Sequence, residues 1–286
     1  MIDSHCHLNF KAFKNDWQQV AERAFNSGVK GIINIGSQLE TSKKAVKIAR
    51  QYQDHIIEDG KLLTAIGLHP IHVADEEFDI SKYEDLIKQC HCEEQSDVAI
   101  LSSLNLKPLT LNSCVVAIGE TGIDLYHNPE NINAQREVFI ESIDLANKNK
   151  LPVIIHNRQA GEEILEVIEN HQPRYGGVMH FFSENWQYAQ KLFDLNILIS
   201  FTGAITLNNV DDKTIEVINK APLDKILIET DAPYVVPRRQ KNKKIKRNEP
   251  AFVVEVAQKI AEIKNIDLAE VESQTTQNTI DLFSLD

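Results

Sequence analysis

The chain has 286 residues, is 42% hydrophobic and 25% charged, and carries a net charge of −12. These values fit a globular protein with a large core that needs no disulfide staples, and the negative balance argues against a surface that binds phosphate everywhere. No apolar run is long enough to span a bilayer, Met1-Ile2-Asp3-Ser4-His5 lacks the regions of a signal peptide, and four cysteines (Cys6, Cys90, Cys92, Cys114) make a reducing cytoplasm the expected compartment, with a monomer as the default state.

In chain order, short apolar runs alternate with amphipathic stretches. Strands are expected at Met1–His5, Gly31–Gly36, Leu63–His69, Cys114–Glu120, Leu151–His156, Gly176–Phe182, Asn196–Phe201 and Ile226–Asp231. Runs such as Val115-Val116-Ala117-Ile118 suit strands buried on both faces of a parallel sheet. A helix over Asp16–Asn26 places Trp17, Val20, Ala21, Ala24 and Phe25 on one stripe, with Asn15 as N-cap and Gln18 as its capping-box partner. Further helices are expected at Thr41–Tyr52, Ala134–Asn147, Gly161–Asn170, Trp186–Phe193, Lys213–Asn219 and Pro250–Ile263, and a last one, Leu268–Phe283, across the bottom or side. Eight such units point to a single (β/α)8 TIM-type barrel over residues 1–286. An open doubly wound sheet has the same alternation, but no glycine-rich dinucleotide fingerprint follows any strand. Residues 90–113 break the rhythm and read as a surface insertion. The adjacent Cys90-His91-Cys92 cannot by itself complete a tetrahedral metal site.

The chemistry gathers at strand ends. His5 and His7 end the first strand, Glu120 the fourth, His156 the fifth, His180 the sixth and Asp231 the eighth. In a parallel barrel these ends share one face, where active sites form. His5 and His7 stand two apart, so their rings point the same way and Cys6 points outward into packing. Singly, His156 or His180 is most simply a hydrogen-bonded core histidine. Together, two carboxylates and four imidazoles aimed at one centre suit a pair of divalent cations. Around them, His69 either contacts substrate or caps the turn before Pro70, and Arg158 offers a bidentate phosphate clamp. Asp124, on the loop after the fourth strand, is placed to orient a ligand histidine. Residues 238–247 hold seven basic residues and no acid, in the loop after Asp231. This run, including Arg247, is expected to guide a nucleic-acid backbone, with Tyr234 available for base stacking.

The stretches IDSHCHLNF, AIGLHP, VVAIGETGIDLY, LPVIIHNRQA, GVMHFFS, LISFTGAIT, IETDAPY and KRNEPAFV, in that order, resemble the TatD family of metal-dependent hydrolases, the TatD-type DNases, over nearly the whole chain. The resemblance implies an amidohydrolase-like barrel with two divalent cations, whether Mg2+, Mn2+ or Zn2+. It implies that His5, His7 and Asp231 hold one, that His156 and His180 hold the other, and that Glu120 bridges them. It further implies phosphodiester hydrolysis of the 3′–5′ exonuclease type, on DNA in preference to RNA. Asp231 is the candidate general base, since a carboxylate there can both ligate and accept a water proton. Two features depart from the family pattern: residues 90–113 have no counterpart, and Pro237–Lys246 is longer and richer in lysine than the usual link. The same scaffold also serves amide and ester hydrolysis, such as aminoacyl-tRNA deacylation. A non-catalytic nucleic-acid-binding protein would not need the six ligands.

Overall fold

The computed structural model describes residues 1–53, 60–91 and 114–285. Its eight parallel strands form one sheet in chain order: β1 (Ile2–Cys6), β2 (Gly31–Ile35), β3 (Lys61–Ile66), β4 (Val115–Asp124), β5 (Val153–Arg158), β6 (Gly177–Met179), β7 (Ile197–Phe201) and β8 (Ile226–Ile228). The ends of the sheet meet beyond β8. The His7 N–H donates to the Ala232 carbonyl at 2.7 Å, and the Asp231 N–H to the His5 carbonyl at 2.8 Å. The described helices are α1 (Trp17–Asn26), α2 (Leu39–Gln53), α3 (Ile80–His91), α4 (Ile132–Asn149), α5 (Gly161–Asn170), α6 (Trp186–Asp194), α7 (Asp212–Lys220), α8 (Arg238–Asn242), α9 (Val253–Lys264) and α10 (Leu268–Phe283). This is the expected (β/α)8 barrel. No described helix is long and apolar enough to cross a membrane.

The period of two sets what fills the barrel. Ile2, Ile33, Leu63, Val116, Ile154, Val178, Leu198 and Leu227 form one cluster in the lumen. Their neighbours Val153, Ile155, Met179, Ile197, Ile199, Ile226 and Ile228 belong to the layer between strands and helices. Burying each such side chain is worth about 1.5–3 kcal/mol. Phe283 and Leu285, at the end of α10, join the lumen cluster with Ile2 and so stopper the N-terminal end. Two residues past the lumen layer, towards the strand C-termini, the same alternation brings His156 after Ile154, His180 after Val178, Ser200 after Leu198 and Glu229 after Leu227. The apolar plug below thus positions the polar layer above.

Several local expectations change. The N-cap of α1 is Asp16, not Asn15, and no side chain caps the helix. The Asp16 carboxylate is drawn instead to Arg247, at 2.6 and 2.9 Å. Strand β4 runs on to Asp124, so Glu120 lies mid-strand, at a shift in register between Ile118 and Thr121. Cys90 and Cys114 are disulfide-bonded, with Cα atoms 5.6 Å apart, where reduced cysteines were expected. The barrel returns the chain to the sheet beside the end of α3, and that proximity is invisible in the spacing. Cys6 is free and buried, as its outward place on β1 implied. Residues 92–113 of the expected insertion, with Cys92, lie outside the described residues.

Candidate active site

Backbone chemistry first brings the ligand-type residues together. Asp3, buried on β1, accepts from Thr230 N (2.9 Å), Thr230 Oγ1 (2.6 Å) and His5 N (3.3 Å). Burial pushes its carboxyl up to about 8 against these hydrogen bonds. The contacts lock the start of β1 to the segment after β8, so His5 and Asp231 share one corner. Asp231 itself sits at φ +54°, a left-handed conformation that costs a non-glycine residue about 1–3 kcal/mol and is held there by its surroundings. On β4, Gly119 has φ +151°, and a Cβ there would lie 2.6 Å from the Ile154 carbonyl oxygen; one at Gly122 would overlap the His156 carbonyl. These two glycines let β4 press against β5 while Glu120 between them is buried in the centre.

Glu120 divides the centre. Its Oε2 faces His5 Nε2 at 3.5 Å and His7 Nε2 at 4.0 Å. Its Oε1 faces His156 Nδ1 at 2.8 Å, His180 Nε2 at 2.9 Å and His69 Nε2 at 3.3 Å. Asp231 Oδ1 closes the first set, 3.5 Å from His7 Nε2 and 3.9 Å from His5 Nε2. The two imidazole nitrogens of His5 and His7 stand 3.2 Å apart. His180 stacks on His5 with ring centres 4.0 Å apart.

Outer partners orient the rings. The His7 Nδ1 lies 3.0 Å from the Ile35 carbonyl, which can only accept, so the proton belongs on Nδ1 and the Nε2 lone pair faces the centre. His180 Nδ1 meets Glu229 at 3.3 Å, and His156 Nε2 meets Asp124 at 3.1 Å, with the same consequence for the opposite nitrogens. Glu229 is in turn fixed by the Phe181 N–H (2.8 Å) and Ser200 Oγ (2.7 Å), and Gln135 accepts from the Asp124 N–H at 2.7 Å. Such carboxylate–histidine pairs are the usual outer shell of a metal-bound imidazole.

The donor set fits a divalent cation. Ligands at 2.0–2.1 Å from one tetrahedral ion stand about 3.4 Å apart. The separations of 3.2–4.0 Å among His5, His7, Glu120 and Asp231 bracket that value, and most exceed hydrogen-bond length. His5, His180 and Asp231 form a second group with metal-ligand spacing, and His69, Glu120 and His156 a third. Electrostatics agree. Burial alone would push Glu120 up, but His180, His69 and His156 outweigh it and hold the carboxyl well below its ordinary value. Burial opposes charge on His180 and His156, yet Glu120 with Glu229, and Asp124 with Glu120, raise both rings. Burial lowers His69 to about 4. Protons on His156 and His180 thus balance a charge that a cation would balance by displacing them.

The other candidates fall into place unevenly. His69 does two jobs: Nδ1 accepts from the Ile71 N–H at 3.1 Å, capping the turn, while Nε2 reaches the centre. Asp124 is buried at the end of β4 and also accepts from His127 at 2.8 Å. Arg158 is exposed at the end of β5, its guanidinium 4.8 Å over the Tyr126 ring. Tyr234 is exposed beside His7 and Phe10. Arg247, expected on substrate, is committed elsewhere: it forks onto Asp16, reaches Glu249 at 3.0 Å and lies over Phe13. Sequence reading missed Asp3, Glu229 and Gln135. The first two carry a usable signal, since each is an acid two residues before a ligand-type residue. Gln135 carries none, because only the packing of α4 on β4 brings it near.

A family model described as TatD-related DNase matches residues 2–284. An uncharacterised metal-dependent hydrolase of Bacillus subtilis, YabD, is 33% identical over the whole of this chain and 99% of its own length. The Shigella flexneri 3′-5′ ssDNA/RNA exonuclease TatD is 29% identical over the whole chain and 99% of its length. The crystal structure of the Escherichia coli TatD homologue YjjV superposes with a TM-score of 0.83 at 27% identity, covering the whole chain and 98% of that structure. With the ligand-type residues of the family pattern collected at one end of the same barrel, the chain belongs to the TatD-related DNase family of metal-dependent hydrolases.

Proposed function

We propose that this protein is a deoxyribonuclease of the 3′–5′ exonuclease type that cleaves phosphodiester bonds with two divalent cations. The observation that carries the reading is the division of Glu120, one oxygen to each histidine set. With Glu120 offering one oxygen to each side, His5, His7 and Asp231 would hold one ion and His156 and His180 the other. When bound, the ions supply an activated water and neutralise charge on the diester.

The chain's own residues supply the rest. Ile35, Glu229 and Asp124 keep three imidazole lone pairs on the centre. Asp231, the less buried of the two central carboxylates, is the proton acceptor on the side open to substrate. Arg158, free of acidic partners among the described residues, is set to bind a phosphate oxygen at the mouth. His69, whose Nδ1 accepts from Ile71, donates from Nε2 to Glu120 in its neutral form. Similarity to a protein named as an exonuclease on single-stranded DNA and RNA supports the substrate class.

The test incubates the full chain with 5′-labelled single-stranded DNA and Mg2+, Mn2+ or Zn2+, with and without EDTA. Stepwise 3′ shortening that needs metal, and disappears in His5→Ala and Glu120→Ala, is the expected result. Cleavage that survives both substitutions refutes the site. Intact DNA with metal-dependent release of amino acid from an aminoacyl ester would replace the reading with a deacylase.

A further inference from the structure

We propose that the segment 238–246, with Tyr234 beside it, is a binding track for a single polynucleotide strand leading away from the metal centre; this rests on the nuclease reading above and names how the substrate's distant nucleotides are held. Arg238, Arg239, Lys241, Lys243, Lys244 and Lys246 are all exposed, and none has an ion-pair partner among the described residues. Some lysines elsewhere on this acidic surface pair with local acids, as in Lys44–Glu40, Lys82–Asp79, Lys220–Glu216 and Lys259–Glu262, whereas 238–247 crowds seven cations into ten residues with no acid among them. Six neighbouring cations without a counter-charge repel one another. Such an arrangement suits an anionic partner that spans several of them.

The segment is also built to stay in place. The Arg238 N–H donates to Thr206 Oγ1 at 2.9 Å, and Gln240 Nε2 to Glu255 at 2.6 Å. At the far end Arg247 is pinned on Asp16 and Glu249. Asn248 Nδ2 donates to the Thr230 carbonyl at 2.8 Å and the Val235 carbonyl at 3.1 Å. The strap therefore leaves the chain just after Asp231 and returns to the residue before it. Its free charges stand on the catalytic face, anchored by the one arginine of the run that is neutralised. Tyr234, 54% exposed, lies between the strap and Asp231 in sequence and packs edge-on to His7. An aromatic face there can stack the base next to the scissile phosphate, and the cations beyond can follow the phosphates of a strand.

The test compares the parent with Lys241→Gln/Lys243→Gln/Lys244→Gln/Lys246→Gln, four exposed positions outside the centre. Labelled dT20 and dT3 serve as ligands for anisotropy in EDTA and as substrates with metal, and bis(4-nitrophenyl) phosphate serves as a small diester. We expect the variant to bind dT20 at least tenfold more weakly at low salt, with dT3 binding and small-diester hydrolysis unchanged. The slope of log affinity against log salt for dT20 should fall by roughly 3, from four contacts at about 0.7 each. Tyr234→Ala should weaken both oligonucleotides about tenfold and leave the slope alone. Equal binding of dT20 by parent and variant, or an unchanged salt slope, overturns the track. So does tight binding to phosphatidylserine vesicles with none to dT20. Failure of the nuclease reading looks different: no diester is hydrolysed with any metal, while the binding arm in EDTA still decides the track.

Discussion

Asp124→Asn isolates what one outer carboxylate does for the centre. In the parent, Asp124 Oδ2 faces His156 Nε2 at 3.1 Å and His127 Nδ1 at 2.8 Å, while Oδ1 accepts from the N–H groups of Tyr126 (2.9 Å) and His127 (2.7 Å). Burial would raise this carboxyl, but the two histidines hold it below its ordinary value. An ionised carboxylate only accepts, so His156 keeps a proton on Nε2, and a cation that displaces the Nδ1 proton shared with Glu120 would meet the Nδ1 lone pair. Asparagine has the same shape. Its oxygen can keep both backbone donors, which leaves its NH2 group at the Oδ2 position. His156 Nε2 must then accept, and the ring proton moves to Nδ1, pointing at the place a cation would take. Loss of an outer partner costs about 10–100-fold in metal affinity, or about 1.4–2.8 kcal/mol. Zinc affinity measured by competition with a chelating chromophore, with circular dichroism to confirm the fold, should show this weakening. His127→Ala, which leaves the His156 contact intact, should stay within about threefold of the parent. An Asp124→Asn protein that binds zinc within twofold of the parent refutes the tautomer argument.

Three further outcomes follow from the same geometry. Gly119→Ala sets a Cβ 2.6 Å from a carbonyl oxygen at φ +151°, which should cost about 2–4 kcal/mol and lower Tm by roughly 3–7 °C; a drop below 2 °C would show that β4 is not locked against β5. Arg247→Ala removes the fork onto Asp16 and should cost about 1 kcal/mol in urea unfolding, with small-diester kcat unchanged. Arg247 holds Asp16 below its ordinary 3.8, so this contribution is full above that value and is lost only as pH falls through the lowered one; the deficit should be equal at pH 8 and pH 5.5, and a deficit that fades between them contradicts the pairing. Metal at 100 times its Kd should stabilise the fold by about 2.7 kcal/mol, reversed by EDTA; calorimetric traces that coincide with and without EDTA would remove the metal centre.

The site was legible where its signals are local. Acids and histidines following apolar runs, and the two-residue spacing of His5 and His7, need only the strand period to converge. The error at β4 has a physical source: Glu120 follows an apolar run and looks terminal, but Gly119 and Gly122 carry the strand past it in a distorted register. The Asn15 cap failed because a capping box is a local preference, whereas Arg247 reaches Asp16 from 231 residues away and takes its carboxylate. The pairing of Cys90 with Cys114 was hidden for the same reason, since no spacing rule encodes where a barrel returns its chain.

By itself the sequence determined the alternation of elements, the burial of the strands on both faces, the candidate ligand-type residues and the family. Each of these depends on periodicity or residue chemistry that survives without knowledge of the partner. The tertiary structure decided which oxygen of Glu120 meets which histidines, which nitrogen of each ring faces inward, and which arginine of the basic run is spent on anchoring. Those choices depend on contacts between distant segments, such as Asp3 with Thr230 and His180 with Glu229. In each, the outcome of a competition for hydrogen bonds is settled only when the barrel closes.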